Sequence, residues 1–306
     1  MFDTPILIIN FNRSVKTQKI LNILKLLKPT KLYLSIDGPR HENLKDKIQI
    51  VKIKKKFEKI NWSCKIKKKY SKKNYGMKLN VINSVNWFLK NEKMGIILED
   101  DCIPTKSFFI FCKILLSKYK NEKKIFQING HSINFPNKKE SYYYSKLNST
   151  WGWATWRRAW NKLDLKMSSY QKMKKNSLIN KYYENKNIYY WMDTYFKKTL
   201  ENKDNIWSIY WSFTILKNNG LCISPFKNLI KNIGFDGSGT TKRFASFKVT
   251  EKIKSYNPLK IIHPKKINYL PEYDEFFFDN YVKKVDKRAK KNVLYELKNF
   301  ILRQLL

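Results

Sequence analysis

The sequence predicts an α/β fold built on a mostly parallel sheet with helices on both of its faces. Two short apolar runs, at residues 5–11 and 95–98, have the unbroken character of strands that are buried on both faces. Helical patterns separate the strands up to residue 125, and right-handed connections between such units produce a parallel sheet. The 306 residues suffice for one elaborated domain or two closely joined ones.

The spacing of apolar residues defines the elements of the first part. Continuous or alternating apolar residues predict strands, and apolar residues three or four apart predict helices. The predicted strands cover residues 5–11, 32–36, 62–66, 95–98 and 125–129. The predicted inward faces of the helices consist of Ile20, Leu24 and Leu27; of Leu44, Ile48 and Val51; of Leu79, Ile82, Val85 and Leu89; and of Phe108, Phe109, Phe111, Cys112, Leu115 and Leu116.

Aromatic residues dominate the second part of the chain. They are concentrated at Tyr142, Tyr143, Tyr144, Trp151, Trp153, Trp156 and Trp160. The pattern predicts two aromatic-rich helices, at residues 177–200 and 206–218, and then a strand at 221–224. A glycine-rich loop at 234–241 and a basic amphipathic helix at 281–306 are predicted after them. We therefore divide the chain into residues 1–145, 146–275 and 276–306.

The charge of the chain is strongly positive, with 63 Lys and Arg residues against 24 Asp and Glu residues, a net charge of +39. Nucleic acid and anionic membranes are the usual partners of such chains. Here Lys, Asn and Ile are all overused from end to end, and the lysines are spread out, so we do not expect specific nucleic-acid binding.

The four cysteines show no C-x-x-C spacing and lie in apolar sequence, as expected for reduced core residues of a cytosolic protein. The N-terminus runs directly into a strand, so no signal peptide is expected. No stretch of 18 apolar residues is present that would span a bilayer.

Three carboxylates, Glu99, Asp100 and Asp101, follow the apolar run at 95–98. In an open α/β sheet, the carboxyl ends of the strands form the ligand-binding crevice. The turn after residues 5–11 and the Asp37–Gly38 pair belong to the same edge. Because adjacent like charges repel, the triplet favours a site for a divalent cation over a solvated acidic turn. Nearby basic residues can hold a pyrophosphate, namely Arg13, Arg40 and Lys78.

Several segments, taken together and in this order, resemble a bacterial nucleotide-sugar glycosyltransferase of the N-acetylglucosaminyltransferase I branch of the GT-A fold. The resemblance covers roughly residues 4–245. The segments that carry it are PILIINFNRS, LSIDGP, NYGMKLNVINSVNWFL, GIILEDDCIPTKSFF, STWGWATWRRAW and LCISPFKNLIKNIGFDGSGT.

The resemblance implies roles for individual residues in donor binding. Asp101 matches the acid that ligates Mn²⁺ or Mg²⁺, while Glu99 and Asp100 would hold the sugar and ribose, or the metal through water. Asp37 matches the acid that contacts the nucleotide base. Phe11, Asn12 and Arg13 would line the nucleoside pocket. Lys78, by its position near the strand ends, is also expected to bind the donor. The loop 234–241 resembles the segment that closes over the donor, and its glycines suit a hinge.

The acceptor and the catalytic base are expected in the second part of the chain. Trp151 and Trp153 can stack on sugar faces, and Gly152 between them would allow an acceptor to approach the backbone. The family's Trp-Asp-Asp segment, which supplies the base, aligns with residues 210–213, which contain no carboxylate. Asp236 and Asp193 are therefore the candidate bases, with Asp204 as a third.

The expected function is metal-dependent transfer of a sugar from a nucleotide diphosphate donor, a UDP-sugar by resemblance, to a glycan or lipid-linked acceptor in surface polysaccharide synthesis. Residues 1–145 would bind the donor and residues 146–275 the acceptor. The terminal helix would hold the enzyme at the cytoplasmic face of an anionic membrane. A nucleotidyltransferase is an alternative, although residues 8–20 contain no glycine for a phosphate loop. A basic nucleic-acid-binding protein would leave the acidic triplet unexplained.

Overall fold

The computed structural model describes residues 2–203, 206–235 and 260–284. Ten strands lie in this part of the chain: β1 Ile6–Asn10, β2 Lys31–Ile36, β3 Lys65–Tyr70, β4 Met94–Glu99, β5 Cys102–Pro104, β6 Ile125–Asn129, β7 Tyr142–Ser145, β8 Trp153–Trp156, β9 Leu221–Pro225 and β10 Ile230–Asn232. Its α-helices are α1 Ser14–Leu27, α2 Leu44–Glu58, α3 Gly76–Asn91, α4 Lys106–Lys118, α5 Arg157–Trp160, α6 Tyr170–Lys175, α7 Leu178–Tyr183, α8 Lys186–Leu200, α9 Trp207–Lys217 and α10 Pro271–Phe277.

The predicted α/β class is confirmed, and the central sheet is mixed. Eight strands pair in the order β3-β2-β1-β4-β8-β6-β9-β7. The first four pair in parallel, whereas β8 runs antiparallel to both β4 and β6. Residues 130–152, which connect β6 to β8 and include β7, contain no helix. Because β8 lies inside the same sheet, residues on both sides of position 145 build one sheet.

Helices cover both faces of the sheet, as predicted. Side chains of β1 alternate between two cores: Ile6 and Ile8 pack with α1, α2 and α4, while Leu7 and Ile9 pack with α3, α5 and α9. This two-sided burial explains the unbroken apolar runs at residues 6–9 of β1 and 96–98 of β4. A third core joins α6, α7, α8 and α9 and contains many of the aromatic residues of the second part.

The structure corrects three predicted details. In α2, the predicted inward residues Leu44, Ile48 and Val51 are exposed, and a different stripe faces the core, formed by Ile50, Ile53 and Phe57. The stripe predicted for α3 holds except at Leu79, which is exposed. The predicted strand at 62–66 begins later, at Lys65. Trp62 lies before it and donates its indole N–H to the carbonyl of Pro29.

The end of the described chain is helical. After α10, a π-helical turn spans Phe278–Val282. Most of the predicted amphipathic helix, residues 285–306, lies outside the described residues. Among the described helices, none is both long and apolar enough to cross a bilayer.

Candidate functional site

A cleft of about 530 Å³ lies at the carboxyl ends of β1, β2 and β4. After β1 the chain adds β2 and β3 on one side and then returns to place β4 on the other side. The loops after β1 and β4 therefore diverge, and the crevice between them is the switch point where open α/β sheets bind ligands. The structure thus brings the three predicted loops together at one edge.

The acidic triplet forms one wall of this cleft. Glu99 ends β4, and Asp100 and Asp101 follow it. Across the switch point, the Arg13 guanidinium donates to Asp100 at 2.8 Å and to Asp101 at 3.0 Å. The backbone N–H of Phe11 also donates to Asp100, at 3.4 Å. The loop before α1 and the end of β4 are therefore joined through charge.

Burial and mutual repulsion dominate the electrostatics of the triplet. Burial, and then the charges of Asp101 and Asp100, raise the pKa of Glu99 well above its ordinary value. Burial also raises the pKa of Asp100, although the nearby Arg13 opposes this rise. Burial lowers the pKa of Arg13, but the three carboxylates outweigh burial and the net shift is upward. The site has more negative charge than Arg13 alone compensates.

Asp37 lies at the cleft but is occupied by the protein itself. One carboxylate oxygen accepts the N–H groups of Gly38 and Tyr75, and the other accepts the Gly76 N–H and the Asn74 side-chain amide. Burial raises the pKa of Asp37, and the three backbone N–H groups oppose that rise. Asp37 therefore fixes the loop before α3, and contact with a base is not needed to explain it.

The other predicted basic residues also hold partners. Arg40 makes a bidentate contact with Asp46 in α2 and lies over the Phe11 ring, 5.6 Å from its centroid. Asn12 donates to the same Asp46 carboxylate at 2.7 Å. Lys78 donates to the Tyr210 hydroxyl at 2.7 Å and lies outside the cleft lining. Arg13, Asn12 and Arg40 line the cleft, so only Lys78 of this group is separated from it.

The remaining walls combine aromatic rings with neutral polar groups, which suit a planar base and sugar hydroxyls. The aromatic residues are Phe11, Trp151, Trp207 and Phe235. The polar residues are Asn10, Asn74, Asn80, Thr150, Ser208 and Asn232. None of these six polar residues was predicted from the sequence as a site residue. Asn74 and Asn80 could have been predicted to lie near the site, because they flank the start of a helix that follows a predicted strand.

The acceptor residues predicted around Gly152 have different environments. Trp151 is half-buried on the cleft wall and contacts Phe235, with ring centroids 5.3 Å apart. Trp153 is fully buried in β8 and stacks on Trp207, so it belongs to the core. Gly152 has φ +61°, and an added Cβ would lie 2.6 Å from Ile230. The glycine therefore serves close packing, and the expected roles of Gly152 and Trp153 in acceptor binding are not supported.

The beginning of the predicted lid lies against the acidic triplet. Strand β10 pairs with β5, opposing Asn232 to Cys102, and the Ile233 N–H donates to the Asp101 carbonyl at 2.9 Å. A Cβ on Gly234 would lie 2.3 Å from an Asp101 carboxylate oxygen, so only glycine fits without a shift. Gly234 and Phe235 line the cleft, and residues 236–241 lie outside the described part of the chain.

Of the three candidate bases, the structure describes Asp193. Asp193 lies in α8, accepts from the Tyr170 hydroxyl at 2.7 Å and pairs with Lys174 at 2.6 Å, away from the cleft lining. This environment explains Asp193 as a structural carboxylate. Asp236 and Asp204 lie outside the described residues. Among the described residues, the carboxylates of the cleft are those of Asp37, Glu99, Asp100 and Asp101.

The donor atoms of the cleft fit the expected Mn²⁺ or Mg²⁺. In the described ranges, no group of three or more His, Cys, Asp or Glu side chains is arranged to enclose a metal ion. However, hard cations that act on phosphates are commonly held by one or two carboxylates together with phosphate oxygens. Asp101 and Asp100 provide such carboxylates, and the negative charge of the triplet that Arg13 does not compensate favours a cation. Asp101 is the residue that would hold it, with Asp100 beside it.

Comparison of the chain with protein-family models finds no match, and neither does a search of curated proteins.

Proposed function

We propose that this protein is a metal-dependent glycosyltransferase that moves a sugar from a nucleotide diphosphate donor, a UDP-sugar, to a glycan or lipid-linked acceptor. One observation carries the proposal: the acidic triplet at the end of β4 faces Arg13 across the β1/β4 switch point, inside a cleft large enough for a nucleotide-sugar. A binding module for nucleic acid would not place three carboxylates on the wall of its site.

The walls of the cleft suit the parts of such a donor. Phe11 and Trp207 offer aromatic surface for a base, and Asn74, Asn80 and Ser208 offer hydrogen-bonding groups for ribose and sugar hydroxyls. Trp151, on the side of the lid residue Phe235, offers a ring face for an acceptor sugar.

The chain's own residues have distinct tasks in the proposed reaction. A bound divalent cation at Asp101 would neutralise charge on the leaving diphosphate. Arg13 keeps Asp100 and Asp101 in position through its two hydrogen bonds. The acceptor hydroxyl oxygen forms a bond to the anomeric carbon as the bond to the diphosphate breaks, and a carboxylate accepts the hydroxyl proton.

Asp236 is the proposed base. It directly follows Phe235, which lines the cleft, and it precedes Gly237 in the glycine-rich loop. A base carried on a closing loop reaches the reacting centre only when substrate is bound, which limits hydrolysis of the donor. The alternative role for Asp236 is to cap the turn through its side chain.

Turnover of UDP-sugars tests the proposal. We expect release of UDP in Mn²⁺ and its loss in EDTA. Asp236→Asn should lower kcat about a hundredfold or more with donor affinity retained. Asp193→Asn is the matched control and should keep near-normal kcat. Full activity in EDTA would contradict the metal-dependent reaction, and a dead Asp193→Asn beside an active Asp236→Asn would move the base to Asp193.

A further inference from the structure

Helix α2 carries a second apolar face that the fold does not bury. Leu44, Ile48 and Val51 are 67%, 45% and 49% exposed. At about 100° per residue, they fall within an arc of about 60° on the helix. That arc lies opposite the buried stripe of Ile50 and Phe57. Single exposed apolar residues are ordinary, but three aligned on one helix form a continuous strip.

Lysines surround this apolar strip. Residues 44–59 contain seven lysines against Asp46 and Glu58. Asp46 is buried and neutralised by Arg40, so it does not contribute to the outer surface. Exposed lysines occur on both sides of the strip and at its end, at positions Lys45, Lys47, Lys52, Lys55 and Lys59. An apolar stripe flanked by basic residues is the pattern of helices that lie in a membrane interface.

We infer that the outer face of α2 docks on an anionic membrane surface, with Leu44, Ile48 and Val51 inserted between headgroups and the flanking lysines on anionic lipid. A second copy of the chain fits poorly, because it would bring two lysine-rich faces together. The terminal segment 285–306 fits poorly for the same reason, since its Lys and Arg residues outnumber Asp286 and Glu296. Nucleic acid would use the lysines but would leave the apolar strip exposed.

The position of α2 gives this contact a consequence for the cleft. Helix α2 begins beside the cleft: the Asp46 carboxylate accepts from Asn12 and from Arg40, which both line it. Docking of α2 therefore brings the cleft close to the lipid surface. The membrane contact does not depend on the proposed function. The use of that contact to reach a lipid-linked acceptor does depend on it.

Flotation of the full-length protein with vesicles, without nucleotide, tests the inference. We expect binding to phosphatidylcholine vesicles that contain phosphatidylglycerol, and little binding to phosphatidylcholine alone. The triple variant Leu44→Ser, Ile48→Ser, Val51→Ser should bind at least about tenfold more weakly. A matched control changes three residues of similar exposure elsewhere, Leu165→Ser, Leu178→Ser and Ile267→Ser, and should bind like the unchanged protein.

Charge reversal provides a second variant pair. Lys52→Glu with Lys55→Glu should weaken binding about tenfold or more, whereas Lys172→Glu with Lys175→Glu, which are also exposed and lie on α6, should have a small effect. Failure of the full-length protein to bind anionic vesicles would overturn the inference. Undiminished binding by both α2 variants would also overturn it, since another segment would then carry the contact. Dimers that dissociate in the triple variant, without vesicle binding, would make α2 a protein interface instead.

Discussion

Arg13 is the residue on which the acidic end of β4 depends. Its guanidinium bridges Asp100 and Asp101, and its side chain is only 18% exposed. Removing one partner from a largely buried ion pair leaves charge without compensation. We therefore predict that Arg13→Met lowers the free energy of unfolding by about 2–4 kcal/mol at pH 8.

The decrease in the free energy of unfolding caused by Arg13→Met should depend on pH. Without Arg13, the pKa values of Glu99 and Asp100 in the folded state rise further above their unfolded values. The variant therefore loses stability as the pH rises from the unfolded pKa values to the folded ones. Urea unfolding at pH 5 should therefore show a clearly smaller loss than at pH 8. Arg40→Met, which removes a pair with the single carboxylate of Asp46, is the comparison. An equal loss for Arg13→Met at both pH values would contradict the account.

Asp274 is a titratable carboxyl group outside the cleft lining. It is buried, accepts from the Ser145 hydroxyl at 2.5 Å and the Lys146 N–H at 2.8 Å, and burial raises its pKa to about 7. Because the folded pKa lies above the unfolded value, Asp274 reduces stability progressively from about pH 4 to about pH 7. Asp274→Asn should remove a decline on the order of 3 kcal/mol across this window.

Unfolding free energies of the unchanged protein and Asp274→Asn, measured between pH 4 and pH 7, check this prediction. The asparagine can still accept from the Lys146 N–H and can donate to Ser145. Its effect should therefore be seen in the slope of the unfolding free energy against pH. Parallel pH profiles for the two proteins would show that Asp274 does not hold its proton in the folded state.

The sequence predicted correctly that the acidic triplet and the loop after β1 lie at one edge of the sheet, because both are local patterns at strand ends. It did not predict that Asp37 would be saturated by the loop before α3, since that contact joins positions far apart in the chain. The environment of Asp193 was unpredictable for the same reason. Its partners Tyr170 and Lys174 come from another helix.

At the element scale, strand β8 shows the limit of pattern analysis. Trp153–Trp156 belongs to a dense aromatic block in which period-two alternation is hidden, yet it forms a fully buried central strand. In helix α2 the sequence contains two apolar stripes, and the pattern does not indicate which of them faces the core. The choice follows from tertiary packing against α1 and the sheet.

The environments of Trp151 and Trp153 predict different mutational effects. Trp153→Ala should destabilise the protein by about 3–5 kcal/mol, because it empties a fully buried position among Trp160, Trp207 and Trp211. Trp151→Ala should cost less stability and should mainly weaken acceptor binding, seen as a raised acceptor KM. The two variants compare directly in thermal unfolding and acceptor titration. A larger stability loss in Trp151→Ala would contradict their assignment to cleft and core.

At the scale of the whole molecule, the predicted α/β architecture is confirmed, while the parallel character of the sheet is limited to β1–β4 and the β6–β9 pair. The sequence predicted β1, β2 and β4 well because each is followed or preceded by a clear helix, whereas β3 begins three residues later than predicted. It did not predict the insertion of β8 between β4 and β6, which depends on a long-range pairing. That insertion joins the β1–β4 side and the aromatic side of the cleft through one sheet.

We propose that the cleft binds a nucleotide diphosphate through a divalent cation at Asp101. Calorimetric titration of UDP into the protein, in Mn²⁺ and in EDTA, tests this binding. We predict binding in Mn²⁺, at least about tenfold weaker binding by Asp101→Asn, and unchanged binding by Asp193→Asn, which lies away from the cleft. No binding of UDP in Mn²⁺, or equal binding in EDTA and by Asp101→Asn, would contradict the account.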